Sequence, residues 1–221
     1  MSEHDATPHP PSTAEFGFVE PGGRSHVYDE HDGMAVTKFS VGPFDNNVYV
    51  VRCTATGKAI IVDGAADAER ILGEAEGTEV VGIVQTHGHP DHIQALEALV
   101  GALDVPVFAH PADKMPVATT ALSDGHTLKV GALEIAVMHT PGHTPGGICF
   151  VVNDHLFSGD TLFPGGPGNT FGKRAAFDQI MGSLDRLFAL PDQTRVSPGH
   201  GLDTTLARER PYLETWRARG W

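Results

Sequence analysis

The stretch QTHGHPDHIQALEAL, Gln85–Leu99, decides how the rest of the chain is read. It sets three histidines and an aspartate within six positions, between the apolar run VVGIVQT at 80–86 and a helical pattern. If the chain leaves that run extended, a period of two puts His87 and His89 on one side, and Gly88 leaves room between them. Pro90 drives His89 away from helical dihedrals and suits a first helical turn, so Asp91 and His92 are expected to open a helix over 91–103. Imidazole and carboxylate are ligands that zinc and iron accept, and a strand-to-helix turn holds them at fixed angles. Taken singly, Asp91 could be a helix cap and each histidine an ordinary surface or core residue.

Three more strand ends carry the same chemistry. EIAVMHTPGH ends at His143, HLFSGD at Asp160 and TRVSPGH at His200, each directly after a glycine suited to a tight turn. Ligands at the ends of separate strands assemble a site along one sheet edge, so the joint pattern reads as a metal site. His139 lies within its strand and reads as a supporting histidine, while His110, His126 and His155 carry no ligand reading. Asp63 ends IIVDG and suits either an acceptor for a ligand histidine or a turn aspartate.

Around these turns the pattern is that of a layered domain. NNVYVVRC and KAIIVDG flank residues 54–57 as a hairpin, and DAERILGEAEG reads as a helix. Strands are expected at 105–110, 133–140, 147–152, 155–158 and 194–197, with a turn at Asn153-Asp154. In FDQIMGSLDRLFALP, apolar residues at 177, 180, 181, 184, 187 and 188 mark the buried face of a helix that Pro191 ends. Paired strands and separated helices suggest an α/β or α+β fold of helices over sheets. Residues 1–33, rich in Pro, Gly, Asp, Glu and His, read as a partly mobile extension, with the domain at 34–221.

The chain has 221 residues, 40% of them hydrophobic, and a formal charge of −13, which disfavours nucleic acid as a partner. No apolar run approaches the roughly 20 residues of a membrane span. MSEHDATPHPPS lacks a signal-peptide core, so a cytosolic location is expected. Cys53 and Cys149 sit in strand-like runs and read as reduced, buried thiols.

The ordered set T-H-G-H-P-D-H, P-G-H-T-P-G-G, S-G-D-T-L-F and P-G-H-G resembles the metallo-β-lactamase superfamily, in particular its glyoxalase II-like, hydroxyacylglutathione hydrolase-like branch, from Met34 to about Pro211. The resemblance implies an αββα sandwich: two mixed β-sheets flanked by helices. It makes His87, His89 and His143 ligands of one metal, and Asp91, His92 and His200 ligands of a second, with Asp160 bridging. Two divalent ions are implied, zinc first and Fe(2+) as the alternative. The implied reaction is hydrolysis of a small-molecule thioester or related ester by a metal-held hydroxide, which Asp91 also orients. The chain has no G-x-S-x-G nucleophile turn, in keeping with such a route.

The sequence departs from these relatives in three places. Ile93-Gln94 replaces the small pair that usually follows the aspartate-histidine ligands. Asn169 stands where glyoxalase II has a basic contact to glutathione, leaving Lys173 and Arg174 as candidate substrate contacts. Only 21 residues follow His200, where glyoxalase II continues into a helical domain, so an acyl-thiol other than a glutathione ester is an open expectation. The alternative function is a mononuclear iron, persulfide dioxygenase-like activity on His87, His143 and Asp160, a two-histidine, one-carboxylate set. A β-lactamase is disfavoured because Asp160 stands where such enzymes place cysteine, and a noncatalytic metal protein because structural zinc sites close with four ligands.

Overall fold

The runs NNVYVVRC and KAIIV carry apolar side chains on both faces, as strands buried on both sides require. The computed structural model describes residues 17–220, so His4 and His9 of the expected extension lie outside it. The first sheet holds β1 (His26–His31), β2 (Met34–Val41), β3 (Asn46–Cys53), β4 (Lys58–Val62), β5 (Glu79–Val84), β6 (Val107–Ala109) and β7 (Thr120–Ala121), in that spatial order. Neighbours from β1 to β4 are antiparallel, and those from β4 to β7 parallel. The change comes where α1 (Ala68–Glu74), then α2 (Pro90–Ile93) and α3 (Leu96–Leu103), return the chain along one face.

The sheet therefore begins ahead of the expected boundary at Met34, with His26 opposite Lys38. An edge strand held by main-chain bonds needs no apolar alternation, so this one leaves no pattern to read. The helix expected over 91–103 is also divided. Gln85 Nε2 donates to His92 O at 2.8 Å, and Ala95 N donates to Gly64 O at 3.0 Å instead of to the turn before it. These tertiary bonds interrupt the ladder between α2 and α3.

The second sheet runs β15-β14-β11-β10-β9-β8. Its strands are β8 (Thr127–Val130), β9 (Leu133–His139), β10 (Ile148–Val152) and β11 (His155–Gly159), followed by β14 (Arg195–Pro198) and β15 (Thr204–Thr205). Between β11 and β14 come a small ribbon, β12 (Leu162–Phe163) with β13 (Gly166–Pro167), and α4 (Arg174–Leu187). The chain closes with α5 (Leu206–Glu209) and α6 (Leu213–Arg219).

Three apolar layers stack the molecule. Val36, Val51 and Ile60 of the first sheet meet Val137, Phe150 and Phe157 of the second. The opposite face of the first sheet, through Val50, Ile61 and Ile83, packs on Ile71, Leu96 and Leu99 of its helices. Cys149, Leu156 and Val196 face Phe177, Ile180, Leu184 and Trp216. The order helix, sheet, sheet, helix is the αββα sandwich, with two mixed sheets.

Because both faces of β3 are apolar, alternation alone does not fix its register. Polar groups at its start do. Asn47 Nδ2 donates to Pro198 O at 2.9 Å and Gly201 O at 3.0 Å, and Tyr49 OH donates to Pro198 O at 2.7 Å. The fully buried Lys38 adds Nζ bonds of 2.7 Å to Gly201 O and to Asp203 Oδ1. Burial pushes the Lys38 ammonium below its ordinary pKa, against the pull of Asp203. Residues of the first sheet thus pin the turn after β14.

Candidate metal centre

The C-terminal ends of β4, β5, β9, β11 and β14 and the N-terminal end of β3 meet at one edge of the sandwich. All seven residues singled out from the sequence as ligands converge there. They form three overlapping groups: His87, His89 and His143; His87, His92 and Asp160; and Asp91, His92 and His200, with the candidate ligand atoms of each within 4.8 Å of one another. The first sheet supplies His87, His89, Asp91 and His92, and the second His143, Asp160 and His200.

Outer hydrogen bonds fix which nitrogen each ring turns inward. His143 Nδ1 donates to Asn169 O at 2.8 Å, His200 Nδ1 to Phe44 O at 2.9 Å, and His92 Nδ1 to Asp63 Oδ2 at 2.8 Å. Thr86 Oγ1 donates to Asp63 Oδ2 at 2.8 Å, so at its 3.0 Å contact with His87 Nδ1 it accepts. In these four rings Nδ1 carries a proton toward its outer partner and Nε2 is the nitrogen turned to the centre, as a metal-ligating imidazole requires. Asp63, at φ 66°, is both a turn residue and the acceptor for His92, so the two readings of this position coincide.

The spacing fits a divalent ion. Ligand atoms on a tetrahedral zinc lie about 3.3 Å apart, given bonds of about 2.0–2.1 Å. His87 Nε2 lies 3.2 Å from His89 Nδ1, and His92 Nε2 lies 3.2 Å from His200 Nε2. Asp160 stands between the groups, with Oδ1 3.4 Å from His92 Nε2 and Oδ2 3.4 Å from His143 Nε2 and 3.7 Å from His200 Nε2. His143 Nε2 and Asp160 Oδ1 are buried without a hydrogen-bond partner, a costly arrangement that coordination would relieve.

Protonation follows the surroundings. Burial, reinforced by His92, His143, His89 and His200, pushes the His87 imidazole well below its ordinary range, so it stays a neutral donor. Burial lowers His143 as well, with Asp160 pulling the other way. His92 is raised to about 9 despite its burial, because Asp63 bonds to it and Asp160 and Asp91 add negative potential. Burial opposes the Asp91 charge, yet a 2.9 Å bond from Asn46 Nδ2, with His92 and His200 nearby, holds its carboxyl below the usual range. Asn46, invisible in a search for ligand types, is the neighbour that orients Asp91.

The candidate substrate contacts Asn169, Lys173 and Arg174 lie where the chain enters α4. The Asn169 carbonyl receives His143, and its Oδ1 receives Phe171 N at 2.7 Å. Arg174 Nε pairs with Asp178 at 2.9 Å, and Lys173 precedes α4 as its N-cap residue. The loop from Phe163 to Asn169, which includes that asparagine, lines an uncharged cavity of about 500 Å³. Phe171, 56% exposed and at φ 55°, packs its ring 5.7 Å from His89 and 5.8 Å from His143. His139 donates from Nε2 to Pro145 O at 2.9 Å, His110 stacks on His139, His126 contacts Ser123, and His155 is buried beside Phe157; none joins the ligand groups. Cys53 and Cys149 are buried free thiols, and burial pushes Cys149 up to about 11. No helix among the described residues is long and apolar enough to cross a membrane.

The fold and the site define an αββα sandwich protein with a candidate metal centre at one edge. A profile of the metallo-beta-lactamase superfamily matches residues 41–200, and the chain belongs to this superfamily. It is 35% identical over 201 residues to an uncharacterized protein of Aquifex aeolicus (strain VF5), covering 81% of this chain and 95% of that one. A hydroxyacylglutathione hydrolase of Rhodospirillum rubrum is 39% identical over 162 residues, or 71% of this chain, which spans 62% of the enzyme's length. Among solved structures, TTHA1623 in a di-iron-bound form superposes with a TM-score of 0.68 at 32% identity, covering 77% of this chain and 95% of that one.

Proposed function

We propose that the protein is a dinuclear metallo-hydrolase acting on a small acyl-thiol or related ester. The observation that carries this reading is Asp160, whose carboxylate stands between the two histidine groups, with Oδ1 toward His92 and Oδ2 within reach of both His143 and His200. A pair of divalent ions, zinc or iron, would be held by His87, His89 and His143 on one side and Asp91, His92 and His200 on the other. Such a pair supplies Lewis acidity and makes water acidic enough to attack a carbonyl near neutral pH.

The chain's own residues then orient and exchange protons. Asp91 Oδ2 accepts from Asn46 and lies 3.4 Å from His200 Nε2 and 3.5 Å from His92 Nε2, so this carboxylate would both hold the second ion and orient the attacking water. No protein nucleophile is needed. Cys53 closes β3 at the end opposite Asn46, about 23 Å away for seven strand steps, and Cys149 is too reluctant to ionise. In a thioester the departing thiolate needs no proton. The uncharged cavity and Phe171 favour an apolar part of the substrate beside the ligands, and a glutathione carrier lacks its usual cation at Asn169.

The test pairs metal analysis of protein purified without added metal with release of free thiol from acyl thioesters. About two ions per chain and thiol release are expected. One iron per chain, oxygen uptake on a persulfide and no thiol release would replace this reading with the dioxygenase one.

A further inference from the structure

We infer that Asp113 is a positioning residue that locks together the two loops carrying His87, His89 and His143. The inference rests on the proposal that these histidines hold an ion. Asp113 lies between β6 and β7, outside every ligand motif. Its carboxylate accepts three hydrogen bonds, all from the ligand loops. Oδ2 receives Gly88 N at 2.9 Å and Thr144 Oγ1 at 2.7 Å, and Oδ1 receives Gly146 N at 2.8 Å. Gly88 sits between His87 and His89, and Thr144 directly follows His143. One side chain therefore spans a loop of the first sheet and a loop of the second, and sets the distance between their imidazoles.

The chemistry of the three partners explains why the residue is an aspartate. Each offers a proton, so a carboxylate with two acceptor oxygens satisfies all of them, whereas an amide would turn an N–H toward one. The close approach also explains two motif glycines. A Cβ on Gly146 would come within 2.6 Å of Asp113 Cγ and 2.7 Å of its backbone nitrogen, and one on Gly88 would come within 3.0 Å of Asp113 Cβ and Lys114 O. Glycines of two distant motifs thus make room for the same partner.

The loop that bears Asp113 is itself seated. Asp113 N donates to His110 O at 3.2 Å, and the His110 ring stacks on His139 with centroids 4.0 Å apart and planes 6° from parallel. His139 ends β9 and leads into the His143 turn. Among the hydrogen bonds of the described residues, none joins Asp113 to Asp91, His92 or His200, so its influence should be confined to the first ion.

The experiment compares full-length wild type with Asp113→Ala, Asp113→Asn, Gly146→Ala and the Asp113→Ala/Gly146→Ala double variant. Zinc affinity is read by chelator competition, the site environment by the visible spectrum of cobalt-loaded protein, and fold by thermal unfolding of metal-free protein. Asp113→Ala is expected to weaken the first ion by about 10–100-fold. It should alter the cobalt spectrum of that ion and leave the second in place, with Asp113→Asn intermediate. Gly146→Ala should act in the same direction, and the double variant should lose less than the two single losses added, since the Gly146 bond to the carboxylate goes in both, while the clash with the backbone nitrogen of residue 113 remains. If Asp113→Ala does not fold, the Asn and Gly146 variants carry the comparison. Unchanged affinity and spectrum with only a lower unfolding temperature would overturn the inference. A wild-type cobalt spectrum indifferent to His89→Ala would instead overturn the metal assignment beneath it.

Discussion

Asp63→Asn tests how much of the centre depends on one acceptor behind the ligands. Asp63 is 1% exposed, and asparagine tolerates its left-handed backbone, so the variant changes hydrogen bonding with little change of shape. Oδ1 accepts Thr86 N at 2.7 Å, and Oδ2 accepts Thr86 Oγ1 and His92 Nδ1, each at 2.8 Å. An amide can keep its oxygen toward His92 and leave its NH2 facing Thr86 N, or turn over and lose His92. The second choice pushes the His92 proton onto the ligating Nε2, so the first should win. It leaves the Thr86 N–H without its acceptor and an amide N–H facing it, at a cost of roughly 1–3 kcal/mol or more. For a chain of this size the metal-free unfolding temperature should then fall by about 4–8 °C for a loss near 2 kcal/mol. Loss of the negative partner should also weaken the ion held by His92 by about 10–100-fold, read by chelator competition. An unfolding temperature within a degree of wild type, with unchanged metal affinity, would refute the claim that Asp63 sets the His92 tautomer.

Further outcomes follow from other contacts. His200→Ala should lower metal content toward one ion and abolish thioester hydrolysis, whereas unchanged metal and activity would remove the second ion from the proposal; His87→Ala should abolish hydrolysis and disturb the first ion. Burial raises the Glu209 carboxyl above its ordinary 4.5, so its contribution is fully present below that value and is lost as pH rises through the raised folded-state value. Glu209→Gln should therefore narrow the difference in unfolding temperature between about pH 4 and pH 7, as scanning calorimetry can measure; an identical difference in the two proteins would contradict the assignment. Phe171→Gly relieves a left-handed non-glycine backbone and should raise the unfolding temperature by about 2 °C, net of glycine entropy. It should also raise KM for apolar thioesters; unchanged KM would remove Phe171 from the substrate wall.

The convergence of the seven candidate ligands was legible because turn residues and ligand types coincide at strand ends, a joint pattern that survives without coordinates. The main strands were legible as short apolar runs between turn residues, and α4 from three-four spacing. What stayed hidden depends on bonds between distant segments. Gln85 divides the helix after Pro90 by taking the His92 carbonyl, which local propensity cannot foresee. Asn46 and Asp113 are common polar residues whose roles arise only when the sheets bring them to the ligand loops. Asn169 was singled out for its side chain, yet its carbonyl is what holds His143. A backbone oxygen has no residue type to betray it.

The division of ligands between sheets has a mechanical side. Four come from one half of the sandwich and three from the other, so an ion bound there rivets the halves together at one edge. With ions bound as proposed, prying the sheets apart would tear coordination bonds before the apolar layer wets, and stripping the ions first should let that edge breathe. Chelation should therefore speed amide exchange in the last residues of β5 and β11 well before the helices on the outer faces loosen.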